Sequence, residues 1–139
     1  MPSEINWYIP NRVLYVREYG ALTLDDTLAT NEQAREHLDG STRKLHILID
    51  HTDLESAPRS LSGLVKTLDT FRHPNMGWFV IIGHGSNRYF RALAQFITHF
   101  FGTNMREVDS LGEALAFLVE IDEDLEPFIE QRLAHHHEG

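Results

Sequence analysis

The chain has 139 residues, of which 42% are hydrophobic, as expected for one folded domain with its own core. Its 21 acidic residues exceed its 12 lysines and arginines and leave a formal charge of −9, which argues against nucleic-acid and anionic-membrane binding. It has no cysteine, which excludes disulfides, thiol catalysis and thiolate metal sites. No signal-like N-terminus and no run of ~20 apolar residues occurs, so we expect a soluble cytoplasmic protein.

The first forty residues predict a β-hairpin followed by a helix. Residues 4–9 and 12–19 are rich in β-branched and aromatic side chains and flank a proline–asparagine turn pair. Thr23, with Asp26 three residues later, predicts a capped helix start, and Gly40 predicts the end of that helix. Its expected buried stripe consists of leucines, namely Leu24, Leu28 and Leu38.

The rest of the chain alternates strands with helices. Short apolar runs at 45–49 and 78–82 predict buried strands, helical patterns follow at 61–71 and 89–101, and a weaker strand is expected at 105–108. A capping box formed by Ser110 and Glu113 opens a last helix. We therefore predict a single α/β domain: an N-terminal hairpin, then βαβ crossovers building a mainly parallel mixed sheet of about five strands with four to five helices.

Several segments, taken in their order and spacing, resemble the SpoIIAA-like family, whose domains have a STAS or CRAL-TRIO-like fold. They are G-A-L-T-L-D-D (Gly20–Asp26), L-H-I-L-I-D (Leu45–Asp50), G-W-F-V-I-I-G (Gly77–Gly83) with its aromatic-rich helix, and D-S-L-G-E-A-L-A-F-L (Asp109–Leu118). The resemblance implies a bacterial, non-catalytic domain without a cofactor. It also implies that the domain regulates a partner protein, or that it binds an apolar ligand or a membrane.

The resemblance spans roughly residues 4–120. We assign residues 1–120 to this domain, and residues 121–139 form a C-terminal extension of the same domain. The extension has an apolar face on an otherwise acidic helix, formed by Leu125, Phe128, Ile129 and Leu133. This face requires a covering surface, either the protein's own sheet or a second copy in a homodimer. His135–His137 is expected to be a solvated tail.

The aromatic helix carries the main functional prediction. Its apolar positions are too many for one narrow stripe, so some of them are available to line a pocket for an apolar molecule or lipid. The predicted ligand-binding residues are Phe90, Phe96, Phe100 and Phe101. The alternative is an ordinary core helix that also packs against a neighbouring element.

The second functional prediction is a phosphorylation-responsive interaction domain. In STAS antagonists of anti-sigma factors, a phosphorylatable serine opens the helix that follows the strand ending here at Asp50. Ser60 and Ser62 lie in that neighbourhood, within A-P-R-S-L-S-G, but the aspartate that precedes the family's serines is missing. The alternative role of Ser60 is to cap the helix.

Polar residues at the strand ends form a third candidate site. His51, Asp53 and His84 follow two strands whose carboxyl ends meet if the strands are neighbours, and such groups suit a metal or acid–base chemistry. They are equally explained as loop residues. The Gly-His-Gly turn around His84 lacks the third glycine and the lysine of nucleotide-binding loops. With no nucleophile–base pair and no coordinating spacing, we expect neither an enzyme nor a metal site.

Overall fold

A computed structural model describes residues 3–56, 70, 72–83, 99 and 104–138. Within these residues a five-stranded sheet has the strand order β1-β2-β4-β6-β7, and β3 and β5 form a separate two-stranded ribbon. The strands are β1 (Ser3–Ile9), β2 (Val13–Glu18), β3 (Gly20–Ala21), β4 (Leu45–Asp50), β5 (Leu54–Ser56), β6 (Met76–Ile82) and β7 (Met105–Val108). The helices are α1 (Leu24–Asp39), α2 (Leu111–Ile121) and α3 (Glu126–Glu138), and a 3₁₀ turn spans Glu123–Leu125.

The sheet is mixed because only the N-terminal hairpin is antiparallel. β1 pairs antiparallel with β2, and the pairs β2–β4, β4–β6 and β6–β7 are all parallel. This confirms the predicted fold class and the five strands of the main sheet. The β3–β5 ribbon was not predicted, since strands of two and three residues leave no readable periodicity.

Each face of the main sheet has its own apolar cluster. On the first face, which we call the α1 face, side chains of β2, β4 and β6 pack with Ala34 and Leu38 of α1. On the second, which we call the α2–α3 face, other side chains of the same strands pack with Leu115 and Leu118 of α2 and Ile129 of α3. Successive side chains of a strand point to opposite faces of the sheet. The polar residues at the strand ends therefore also lie on one or the other of these two faces.

The caps of the helices follow their sequence signals, but the buried stripe of α1 does not. The Thr23 hydroxyl accepts from the Asp26 N–H at 3.1 Å, and the Asp26 carboxylate accepts from the Thr23 N–H at 3.0 Å. The buried residues of α1 are Thr30, Ala34 and Leu38, so only the last of the three predicted leucines is fully buried. Small residues on the buried side allow the helix to approach β1 closely, and Ser3 Oγ lies 2.5 Å from Thr30 Oγ1.

The helices predicted at 61–71 and 89–101 lie almost entirely outside the described residues. The described residues form three α-helices, so the predicted number of four to five is not reached within them. None of the helices within these ranges has the length and apolar content needed to cross a bilayer.

Candidate functional site

The carboxyl ends of β2 and β4 place a tyrosine beside an aspartate on the α2–α3 face. The Tyr15 hydroxyl donates to Asp50 Oδ2, and Asp50 Oδ1 accepts from the Thr52 N–H at 2.9 Å. Burial alone raises the pKa of a carboxyl group, but the hydrogen bonds from Thr52 and Tyr15 outweigh it and lower the pKa of Asp50. Burial, followed by the hydrogen bond to Asp50, raises the pKa of Tyr15. Asp50 is therefore an anion that its neighbours already satisfy.

A second contact at this end lies closer to solvent. Arg17, the strand neighbour of Asp50, donates from Nη2 to Asp53 Oδ2 at 3.0 Å. The guanidinium carbon of Arg17 lies 4.3 Å from the centre of the Tyr19 ring. The Asp53 side chain is 62% exposed, so this ion pair is largely in water.

The third contact is a buried pair on the α1 face. His51 Nε2 donates to Glu18 Oε1 at 2.6 Å, and the two side chains are only 8% and 7% exposed. Glu18 is the last residue of β2 and His51 follows β4 directly, so the parallel register of the two strands brings them together. A directly hydrogen-bonded, buried pair of this kind is suited to holding the strand ends together.

Of the three predicted strand-end residues, the two that the structure describes turn to different partners. His51 turns to Glu18 on one face, Asp53 pairs with Arg17 at the rim, and His84 lies outside the described residues. Gly83, which precedes His84, has φ +112°, and an added Cβ would lie 3.1 Å from the His51 carbonyl carbon. In the part of the chain that the structure describes, no three His, Asp or Glu side chains are grouped to hold a metal.

A different polar cluster, which sequence reasoning missed, lies at the amino ends of the same strands. Arg12, just before β2, pairs with Asp122, just after α2, with 3.2 Å between Nη2 and Oδ2. Asp122 Oδ2 also lies 3.7 Å from Nε2 of His46. Nδ1 of His46 accepts from the Trp78 N–H at 2.9 Å. The cluster fastens the turn between α2 and α3 to the sheet.

The absence of a side chain at Gly77 allows the imidazole of His46 to reach the backbone of β6. A Cβ built on Gly77 would lie 2.6 Å from His46 Nδ1 and 2.9 Å from the Leu45 carbonyl oxygen. Burial lowers the pKa of His46 more than the nearby Asp122 raises it, so the neutral imidazole that accepts the Trp78 N–H is favoured. The contact joins residues 76 positions apart, Asp122 and His46, and no local motif marks it.

Two solved structures are similar to this chain along most of its length. The phosphorylated form of the Bacillus cell fate determinant SpoIIAA matches with a TM-score of 0.58 and 15% identity, over 84% of this chain and 98% of that chain. An uncharacterized protein of the DUF3478 family with a SpoIIAA-like fold, from Shewanella loihica PV-4, matches with a TM-score of 0.59 and 21% identity, over 84% of this chain and 91% of that chain. The chain has the SpoIIAA-like fold. Neither a family model nor the sequence of a curated protein matches it.

Two sets of predicted site residues in this SpoIIAA-like fold lie outside the described residues. They are the candidate phosphorylation sites Ser60 and Ser62 and the aromatic set Phe90, Phe96, Phe100 and Phe101. The described chain does reach Ser56, where the β3–β5 ribbon ends. There the Leu22 N–H donates to the Ser56 carbonyl oxygen at 2.9 Å, so the chain is fixed at the carboxyl end of the sheet four residues before Ser60.

The C-terminal extension divides its apolar face between the protein's own core and the surface. Leu125 is fully buried and Ile129 is 6% exposed, both in the cluster of the α2–α3 face. Phe128 and Leu133 are 44% and 43% exposed. The packing of two of the four residues against the sheet leaves only Phe128 and Leu133 available to a second copy.

Proposed function

We propose that this chain is a non-enzymatic, STAS-type interaction domain that binds a regulatory partner protein and is switched by phosphorylation at Ser60 or Ser62. The observation that carries the proposal is the structural likeness to SpoIIAA, which was solved in a phosphorylated form. The described polar side chains at the strand ends support it as well, because they pair with one another instead of assembling a nucleophile with its base.

The position of the two serines in the chain supports the proposed switch. They follow β5 by a few residues in the sequence, and β5 itself follows the carboxyl end of β4, where binding residues of α/β sheets commonly collect. The described surface near β5 carries two exposed carboxylates, that of Glu55 and that of Asp53, which pairs with Arg17. A phosphate adds about −1.5 to −2 charges at neutral pH. Phosphorylation of Ser60 or Ser62 would therefore add negative charge to the segment that follows β5 and weaken the binding of an acidic partner.

Mapping of phosphate on the protein tests the proposed switch. Protein isolated from the cells that naturally make it is digested and analysed by mass spectrometry, and we expect phosphate on Ser60 or Ser62. In an extract of those cells with ATP, Ser60→Ala and Ser62→Ala together should abolish incorporation. Ser56→Ala, at an exposed serine of β5, is the matched control and should leave incorporation unchanged.

Partner binding gives the second readout. A partner captured by the Ser60→Ala, Ser62→Ala variant should be released from Ser60→Asp, Ser62→Asp, and Ser41→Asp at the opposite end of the sheet should have no effect. Equal capture by both variants, together with the absence of phosphate at both serines, would contradict the proposal.

The predicted apolar-ligand site remains a separate proposal that rests on the sequence pattern of the aromatic helix. Native mass spectrometry of freshly purified protein distinguishes it from the interaction domain. A stoichiometric adduct of lipid size that is lost in Phe96→Ala and Phe100→Ala would favour ligand binding. Protein without an adduct would contradict that proposal and leave the interaction domain standing.

A further inference from the structure

The two edges of the main sheet differ in how they are protected against pairing. Among the described strands, β1 has a neighbour only in β2, and β7 has a neighbour only in β6. β7 has four residues, and its two charged residues, Arg106 and Glu107, are exposed. β1 has seven residues, with Glu4 as its only charge and no proline between its ends. Short length, charge and bulges are the usual protection of a sheet edge. β1 has little of the first two, and its one irregularity, between Trp7 and Ile9, affects only the end of the strand.

The sequence of β1 is self-complementary when two copies run antiparallel around Asn6. This register places Glu4 opposite Tyr8, and the regular pairing ends at the irregularity of β1 between Trp7 and Ile9. It also places Ile5 directly opposite Trp7, twice. Both are half-buried residues of the α1 face, and Trp7 is already fixed by an edge-to-face contact with His37 of α1 at 5.1 Å. Apolar side chains directly opposite each other on paired strands are in contact.

Charge complementarity supports the same register. Arg132 of α3 lies over the Tyr8 ring, with its guanidinium carbon 4.3 Å from the ring centre. Arg132 is exposed, and among the described residues no carboxylate forms an ion pair with it. Because Glu4 of one copy lies opposite Tyr8 of the other, its carboxylate meets Arg132 of the other copy. The two-fold axis produces this ion pair twice, which offsets part of the repulsion between two chains of charge −9.

We propose that the protein forms a two-fold homodimer in which the β1 strands pair antiparallel around Asn6 and join the two sheets into one. Such an interface is isologous, since the same surface serves both copies, and its strand pairing provides backbone hydrogen bonds to an edge that no described strand covers. The rival surface is the exposed part of α3 with Phe128 and Leu133.

Sedimentation equilibrium over a range of concentrations tests the proposal, with the 16.0 kDa monomer as reference. We expect the parent protein to form a dimer. Asn6→Lys places two ammonium groups at the two-fold axis and should raise the dimer dissociation constant at least about tenfold. Asn104→Lys, the same change at an exposed residue beside β7, is the control and should leave the constant unchanged.

A charge exchange separates loss of the interface from loss of the fold. Glu4→Arg and Arg132→Glu should each weaken the dimer, and the double variant should recover it, since the ion pair is restored in reverse. Circular dichroism should show parent-like spectra for all three variants, whose altered residues are exposed. A monomeric parent at all concentrations would overturn the proposal. So would a dimer that tolerates Asn6→Lys and the charge reversals but dissociates in Leu133→Ser.

Discussion

The two ends of the main sheet each contain a histidine with a carboxylate beside it, yet the two histidines serve the structure differently. At the carboxyl end, His51 donates directly to Glu18 at 2.6 Å in a pair that is almost fully buried. At the amino end, His46 lies 3.7 Å from Asp122, which also pairs with Arg12. The first contact is a direct hydrogen bond between two side chains, and the second is shared among three.

The difference follows from the hydrogen-bond partner of each imidazole. Nδ1 of His46 is committed to the Trp78 N–H, so His46 acts as a neutral acceptor within the sheet and its link to Asp122 is secondary. His51 instead closes the ends of two parallel strands. The comparison indicates that loss of a hydrogen-bond partner should cost most at the carboxyl end, whereas at the amino end stability should depend on pH through His46.

Removal of Glu18 should produce the largest effect on stability. Glu18→Leu deprives the buried imidazole of its carboxylate, and we expect the free energy of unfolding to fall by about 3–5 kcal/mol, measured by urea denaturation. His51→Leu leaves a buried carboxylate behind and should cost a similar amount.

The double variant decides whether the loss comes from the pair. Glu18→Leu with His51→Leu removes both polar groups and should be more stable than either single variant. If the loss of stability in the double variant equals the sum of the two single losses, the two residues act independently. The proposed difference between the two ends of the sheet would then be wrong.

The amino end should show the next largest effect, through pH. Because burial lowers the pKa of His46 below its ordinary value of 6.5, the unfolded chain binds a proton there at a pH where the folded chain does not. Stability should therefore fall as the pH is lowered below that value, by up to about 1.4 kcal/mol per pH unit, and level off below the folded pKa.

The variant His46→Gln isolates this effect from the other histidines. The difference between the unfolding free energies of parent and variant, followed from neutral to acidic pH, should shrink as the pH falls. A difference that stays constant across this range would mean that His46 does not titrate on unfolding.

Much of the fold was predictable because it depends on local signals. The strands at 45–49 and 78–82 are apolar runs bounded by turns, and Thr23 and Ser110 are helix caps that act within four residues. The structure also confirms the hairpin before them. The buried stripe of α1 was predicted correctly only at Leu38, because close approach to β1 favours Thr30 and Ala34 over larger leucines.

The polar contacts were far less predictable because they join residues distant in sequence. The sequence analysis predicted that His51 and Asp53 lie close together because both follow β4. Successive residues of β2 point to opposite faces, however, so His51 contacts Glu18 and Asp53 contacts Arg17. Asp122 belonged to what looked like a solvated acidic stretch, and only the return of α2 over the sheet brings it to Arg12. The one local signal that could have indicated this cluster is Gly77, a glycine inside a buried strand.

Tyr15→Phe tests the half-buried contact on the α2–α3 face and should have a smaller effect. It removes the hydroxyl that donates to Asp50, while the hydrogen bonds from Thr52 remain. We expect the free energy of unfolding to fall by about 1 kcal/mol. In a protein that already carries Asp50→Asn, Tyr15→Phe should lower the free energy of unfolding by less. An equal loss in both backgrounds would show that the Tyr15 hydroxyl does not stabilise the fold through the Asp50 carboxylate.

Arg17→Ala should have the smallest effect, although it removes a hydrogen-bonded ion pair at the same end of the sheet as Glu18 and His51. Its partner Asp53 is mostly exposed, so water replaces the guanidinium when it is removed. We expect no measurable change in Tm at physiological salt and a small decrease at low salt, where screening is weaker. Arg17→Lys, which keeps the charge, should remove the low-salt decrease. A loss of stability as large as that of Glu18→Leu would contradict this expectation. The exposed pair and the buried pair would then stabilise the fold equally, and burial would not explain the difference between them.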